Sequence, residues 1–195
     1  MLQNSNFQQY FTENKQNFKD LVKNGQTPKT LFIGCSDSRV IPELLTSSGP
    51  GDLFVVRNIG NIVPVHQVDN GYHGVTAAIE FAVEILKVQE IVVCGHSHCG
   101  AIRALYEAPE GATENIRKWL ELAEEAKVEA SELTEEILRQ TEENSIKIQL
   151  NRLLQFPCIN QKISEKKLHL RGWHFYIEDG EIKQYDGDLD QFTSL

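Results

Sequence analysis

Short apolar runs alternate with stretches of helical periodicity along this chain. Phe7, Tyr10, Phe11, Phe18, Leu21 and Val22 recur at helical spacing, and Asn24-Gly25 supplies a stop. The pattern predicts an amphipathic N-terminal helical arm over about residues 3–24, whose apolar face needs a surface to cover; a second subunit is one source of it. Thr30-Leu-Phe-Ile-Gly34 predicts a buried strand. Leu53–Arg57, after the turn residues Gly49-Pro-Gly-Asp52, and Glu90–Cys94 predict two more. Val75, Ala78, Ile79, Ala82 and Leu86 share one face of a helix expected from about Gly74 to Lys87. Charged helical stretches are expected at roughly 113–130 and 134–156. Alternation from Gly172 to Tyr185 around Asp179-Gly180 predicts a strand or hairpin. Strands alternating with helices argue for an α/β fold with a mostly parallel central β-sheet flanked by helices. No repeat or low-complexity linker divides the chain, so a single domain over 1–195 is expected.

In such sheets ligands bind beyond the carboxyl ends of the strands. Two unusual polar clusters fall there: Cys35-Ser-Asp-Ser-Arg39 after the first strand, and Gly95-His-Ser-His-Cys-Gly100 after the third. An imidazole and a thiolate at His96-x-x-Cys99, in a turn leaving a strand, can point at one centre, and zinc accepts both donors. Alone the pattern is weak, since a buried thiol beside a satisfied histidine has the same spacing. Cys35 supplies another soft donor at a neighbouring strand end. Three protein ligands leave one tetrahedral position open, which is the arrangement of a catalytic zinc rather than a structural one. Asp37 and Arg39 could be a surface ion pair of little energetic weight. Beside a metal, Arg39 can instead hold Asp37 by charge-assisted hydrogen bonds while Asp37 orients the attacking solvent molecule. Released by Arg39, Asp37 could itself occupy the open position, an inactive state. His98 reads either as an exposed turn residue or as a group that moves protons.

Composition narrows the field. The chain has 195 residues, long enough for a sizeable core, and a formal net charge of −9. That charge disfavours nucleic acid and anionic lipid as partners, and no apolar stretch reaches the roughly 18 residues of a membrane span. The polar first residues lack the apolar segment of a signal peptide, so a reducing, cytoplasmic compartment is expected. The four cysteines then suit metal binding or catalysis better than disulfides. Gly95 and Gly100 have phosphate-loop spacing, but Ala101 stands where such a loop needs lysine. The Cys35–Arg39 segment is too short to wrap a phosphate as a thiol phosphatase does.

Cys35-Ser-Asp-Ser-Arg39 followed by Gly95-His-x-x-Cys-Gly100 resembles the signature of the β-class carbonic anhydrases. Gln26-Thr-Pro-Lys29, Pro50–Phe54, Val56–Asn61, Leu170–Trp173 and Tyr185-Asp-Gly187 are similar to the plant- and bacterial-type subgroup, so the resemblance spans about residues 5–193. It implies reversible hydration of CO2 to bicarbonate and a proton, a lyase activity. It implies zinc held by Cys35, His96 and Cys99, with Asp37 and Arg39 as the catalytic pair. It also implies Gln26, Phe54, Phe81 and Gly100 at the substrate. A homodimer with the active site in a cleft at its interface is the implied minimal unit, with a tetramer expected. A cytoplasmic location is implied, with the carboxysome as an alternative. Phe81 departs from the tyrosine usual in plant members. Phe32 stands where some bacterial members carry the tryptophan of an inhibitory bicarbonate site, so no such site is expected. Three rival readings remain at this point: a zinc hydrolase of COS or CS2, a non-catalytic zinc-stabilised binding protein, and thiol catalysis by Cys35.

Overall fold

The computed structural model of the chain describes residues 5–69 and 71–195. Its first elements are α1 (Ser5–Glu13) and α2 (Lys15–Asn24), followed by β1 (Thr30–Cys35), the short α3 (Pro42–Leu45) and β2 (Leu53–Asn58). Then come α4 (Gly74–Glu80), β3 (Glu90–His96), α5 (Gly100–Arg103), α6 (Glu114–Glu121), α7 (Glu135–Leu153) and α8 (Pro157–Ser164). The strands β4 (His169–Tyr176), β5 (Glu181–Asp186) and β6 (Gln191–Ser194) close the chain.

The six strands form one sheet in the order β2-β1-β3-β4-β5-β6. The first four run parallel, and the terminal hairpin adds β5 and β6 antiparallel. The expected mostly parallel α/β sheet is thus present, with a mixed edge. Leu31, Phe32 and Ile33 are all fully buried because both faces of the sheet are covered. Leu31, Ile33, Ile91 and Val93 pack with Ile79, Ile146 and Phe156 on one face. Phe32, Val92 and Cys94 pack with Val40 and Phe175 on the other. This double burial is why the strands read as unbroken apolar runs.

The chain leaves β1 toward β2 on one side and leaves β3 toward β4 on the other. The two loops diverge where adjacent strands end, which opens a crevice at their carboxyl ends. Cys35 and His96 are the last residues of β1 and β3. Helix α7 lies close against the adjoining strands because two glycines admit it. A Cβ on Gly95 would sit 2.8 Å from Ile146 Cδ1, and one on Gly172 would sit 2.8 Å from Ile146 Cγ2.

Three local departures have physical causes. The arm, expected as one helix, breaks at Asn14 (φ −109°, ψ 16°). The break lets Phe18 fold back to ring-centroid distances of 6.3 Å from Phe7 and 5.1 Å from Phe11. Residues 3 and 4 of the expected arm lie outside the described residues. The helix expected over 74–87 winds into a π-helical turn at Phe81–Ile85 and stops there. The stretch expected to be helical over 113–130 gives only α6 and a 3-10 turn at Glu124–Ala126, because the chain bends inward to bury Leu120, Ala123 and Ala126.

Candidate metal centre

The donor atoms of Cys35, His96 and Cys99 all lie within 4.8 Å of one another, and all three residues are buried. Cys35 ends β1, His96 ends β3, and Cys99 caps α5 directly after His98, whose φ of 54° turns the chain back. His96 Nδ1 stands 2.9 Å from the Ser97 carbonyl oxygen. A carbonyl only accepts, so Nδ1 carries the proton and Nε2 offers a lone pair. That Nε2 is buried without a hydrogen-bond partner among the described residues. A buried polar atom left unpaired is costly, and a cation between the two sulfurs and this nitrogen is the partner it fits. The donor set of two thiolates and an imidazole suits zinc.

The electrostatics favour positive charge at the same place. A hydrogen bond from Cys99 outweighs burial and holds the Cys35 thiol down to about 4. The same bond, with burial, pushes Cys99 well up. At His96 burial pulls the imidazole down, but Cys35, the Ser97 carbonyl and Asp37 outweigh it and the net direction is up. Cys94 faces the apolar core and is pushed up to about 12, chiefly by burial, which leaves it an inert thiol.

Asp37 borders the cluster, its Oδ2 3.9 Å from His96 Nε2. Arg39 grips the carboxylate with both arms of its fork, Nε donating to Oδ1 at 2.9 Å and a terminal nitrogen to Oδ2 at 2.7 Å. The Arg39 backbone N–H also donates to Oδ1, at 3.0 Å. The Arg39 guanidinium therefore holds Asp37 well below the usual carboxylate range. A longer bond of 3.2 Å runs from Arg39 to the His98 carbonyl. Arg57, on β2, donates to the carbonyls of Cys35 at 3.0 Å and Asp37 at 2.7 Å, pinning the backbone that carries both. Sequence reasoning had placed Arg57 only inside a motif. His98 is partly exposed, with Nε2 4.0 Å from Glu178 Oε1.

The structure does not bring every expected residue to this cluster within one chain. Gly100 adjoins Cys99 and opens α5, and a Cβ there would meet nothing within 4 Å among the described residues. Phe54 pairs with Leu31, four residues up β1 from Cys35, or about 13 Å at the strand rise. Phe81 stacks on Phe54 with centroids 6.0 Å apart, and Gln26 is exposed before β1 begins. These three therefore gather toward the opposite end of β1 from the cluster. An apolar groove of about 530 Å³ opens beside Cys35, lined by Ser36, Asn58, Ile59, Asn115, Ile116 and Trp119.

Comparison with known proteins addresses what such a centre does. Residues 30–182 match the family model described as carbonic anhydrase. A carbonic anhydrase from Pseudomonas aeruginosa is 44% identical over 185 residues, covering 92% of this chain and 83% of that protein. The solved β-carbonic anhydrase CcaA superposes with a TM-score of 0.87 at 38% identity, over 95% of this chain and 85% of that one. The chain belongs to the β-class carbonic anhydrase family. As a carbonic anhydrase it hydrates CO2 reversibly to bicarbonate and a proton. A carbonic anhydrase from Synechocystis is 39% identical over 95% of this chain and 69% of that one. One of two tetrameric β-carbonic anhydrases from Sordaria macrospora superposes with a TM-score of 0.78 at 31% identity, covering 97% and 95%. No described helix of this carbonic anhydrase is long and apolar enough to cross a membrane.

Proposed function

We propose that the metal of this carbonic anhydrase is zinc, held by Cys35, His96 and Cys99, with Asp37 and Arg39 as its catalytic pair. The observation that carries this reading is the buried, unpartnered His96 Nε2 facing two sulfurs. Zinc bound there supplies Lewis-acid activation of water. Asp37 stays ionised, so it can only accept hydrogen bonds, and it takes the proton side of that water and turns its lone pair toward CO2. Arg39 fixes the carboxylate, since both of its oxygens are occupied by the guanidinium, and this holds Asp37 off the metal. A purely structural zinc site has no use for such a fork.

Gln26, Phe54 and Phe81 enter the reading through a second copy of the chain. They lie too far from their own cluster to touch CO2 there, so they act across a subunit contact, where the phenylalanines form an apolar wall and the Gln26 amide donates to the substrate. Gly100 leaves room beside Cys99 for the substrate. Exposed apolar residues of the arm, Phe7 and Val22, support the same assembly, as does the tetrameric relative. We take the chain as one domain, arm included, at work in the cytoplasm or a carboxysome.

Subunit complementation tests this arrangement. One chain carries Asp37→Asn and the other Gln26→Ala with Phe54→Ala, each inactive alone. Mixed dimers would contain one intact site, and recovered CO2 hydration is the expected result. No recovery in verified heterodimers would place all the substrate residues with their own chain's metal and overturn the reading.

A further inference from the structure

We propose that Glu142 is a positioning residue for the metal centre, acting through the peptide unit that joins His98 to Cys99. The proposal rests on the reading of Cys99 as a metal ligand. Glu142 sits on α7 and is 3% exposed. Its Oε1 accepts the Cys99 backbone N–H at 2.8 Å. Its Oε2 lies 3.2 Å from Nε2 of His174, which is fully buried on β4. That nitrogen is the one facing the carboxylate, while Nδ1 has no hydrogen-bond partner among the described residues.

The carbonyl of the same His98–Cys99 peptide accepts from Arg39 at 3.2 Å. One peptide plane is thus gripped from both ends. Arg39, which orients Asp37, holds its oxygen; Glu142, which His174 orients, holds its N–H. The plane needs holding, because His98 stands in the left-handed region at φ 54°, a conformation that costs a non-glycine residue roughly 1 kcal/mol or more. The turn directs the Cys99 N–H toward α7. Ile146, one turn along α7, is seated over Gly95 and Gly172, so the helix that delivers Glu142 is fixed against the sheet.

A buried carboxylate is costly unless fully hydrogen-bonded, and a packed apolar side chain could fill the position. The geometry gives Glu142 a function that an apolar residue lacks, namely setting the direction of a metal ligand and of the arginine beside the catalytic carboxylate. Partners of this kind around a metal site typically change affinity about 10–100-fold when removed.

The test compares Glu142→Gln with Glu142→Leu in the zinc-loaded enzyme. Both lose the carboxylate and disturb His174, but only glutamine keeps an acceptor for the Cys99 N–H. Zinc transfer to a chelator, followed well below the unfolding temperature, is expected to speed up about 10–100-fold in Glu142→Leu and to stay within a few-fold of wild type in Glu142→Gln. In the cobalt-substituted proteins the sulfur-to-cobalt charge-transfer band should shift in the leucine variant alone. Equal behaviour of the two variants, tracking their loss of thermal stability, would overturn the proposal in favour of a purely structural role. If Glu142→Leu does not fold, His174→Leu serves, which leaves Glu142 in place but unoriented. Faster zinc release with a shifted cobalt band supports the proposal, and wild-type values for both refute it. Wild-type protein that takes up no zinc would sink the metal reading itself, whereas a zinc-loaded Glu142→Leu indistinguishable from wild type would sink only this inference.

Discussion

Replacing Arg39 with alanine separates a functional ion pair from a stabilising one. The substitution removes the two fork bonds to Asp37, at 2.9 and 2.7 Å, and the bond to the His98 carbonyl. The Arg39 side chain is 47% exposed and that of Asp37 18%, so solvent screens the pair and its net worth to folding is about 1 kcal/mol or less. In a chain of this size that corresponds to a fall in Tm of roughly 2–4 °C. The kinetic loss should be far larger. Asp37 loses both side-chain donors that hold its plane, and a misplacement of about 1 Å at a reacting centre can cost on the order of 100-fold. That is a barrier increase of about 2.7 kcal/mol, which exceeds the stability term. Stopped-flow CO2 hydration, with zinc content and Tm measured on the same samples, reads all three quantities. Zinc should remain bound. The double variant Asp37→Asn/Arg39→Ala should be no slower than the worse single variant, because the two residues act as one unit. Losses that multiply, or an Arg39→Ala enzyme within about threefold of wild type, would refute the reasoning.

Other consequences follow from residues outside the pair. Gly172→Val should destabilise the protein by about 1–3 kcal/mol, since even its Cβ meets Ile146 at 2.8 Å; an unchanged urea midpoint would mean that α7 is not seated as described. Under native conditions at pH 8, mass spectrometry after alkylation should find Cys94 unmodified and the partly exposed Cys158 labelled first, because burial pushes Cys94 up to about 12. Asp190, hydrogen-bonded by Lys147, is held below the usual carboxylate range. Its contribution to stability is in place above the unfolded value near ~3.9 and is lost as pH falls through the lower folded value. The Tm gap between wild type and Asp190→Asn should therefore be full at pH 6 and shrink below about pH 4; a gap that widens in acid would reverse the assignment.

The cluster of Cys35, His96 and Cys99 was legible because two local signals coincided. Cys35 and His96-x-x-Cys99 each follow a short apolar run, and parallel strands deliver their carboxyl ends to one crevice. Helix α7 shows what was not legible. Its inward face carries Thr141, Glu142, Ser145, Gln149 and Arg152, all buried. Hydrophobic patterning assigns such polar residues to solvent. Three of them, Glu142, Gln149 and Arg152, are held by backbone groups far away in sequence. Gln149 Oε1 accepts the Val63 N–H at 2.8 Å, and Arg152 donates to the Val63 carbonyl at 3.2 Å, as Glu142 accepts from Cys99. The recurrence of polar residues at helical spacing was the available signal, and it lacked a visible target. The break at Asn14 was hidden for a related reason, since the return of Phe18 onto Phe7 and Phe11 is a tertiary contact that continuous helical spacing does not encode. The resemblance implied Phe54 and Phe81 at the substrate; the register puts Phe54 opposite Leu31, four residues up β1 from Cys35, and Phe81 stacks on Phe54.

The most direct test of the central claim measures zinc content and CO2 hydration on the same preparations of wild type, Cys35→Ser, His96→Ala and Cys99→Ser. Wild type should carry equimolar zinc and turn over CO2, and each variant should lose both metal and turnover while its far-ultraviolet circular dichroism still shows a folded chain. Folded variants that keep full zinc, or wild-type protein active with no metal bound, would contradict the assignment of these three side chains as the metal's ligands.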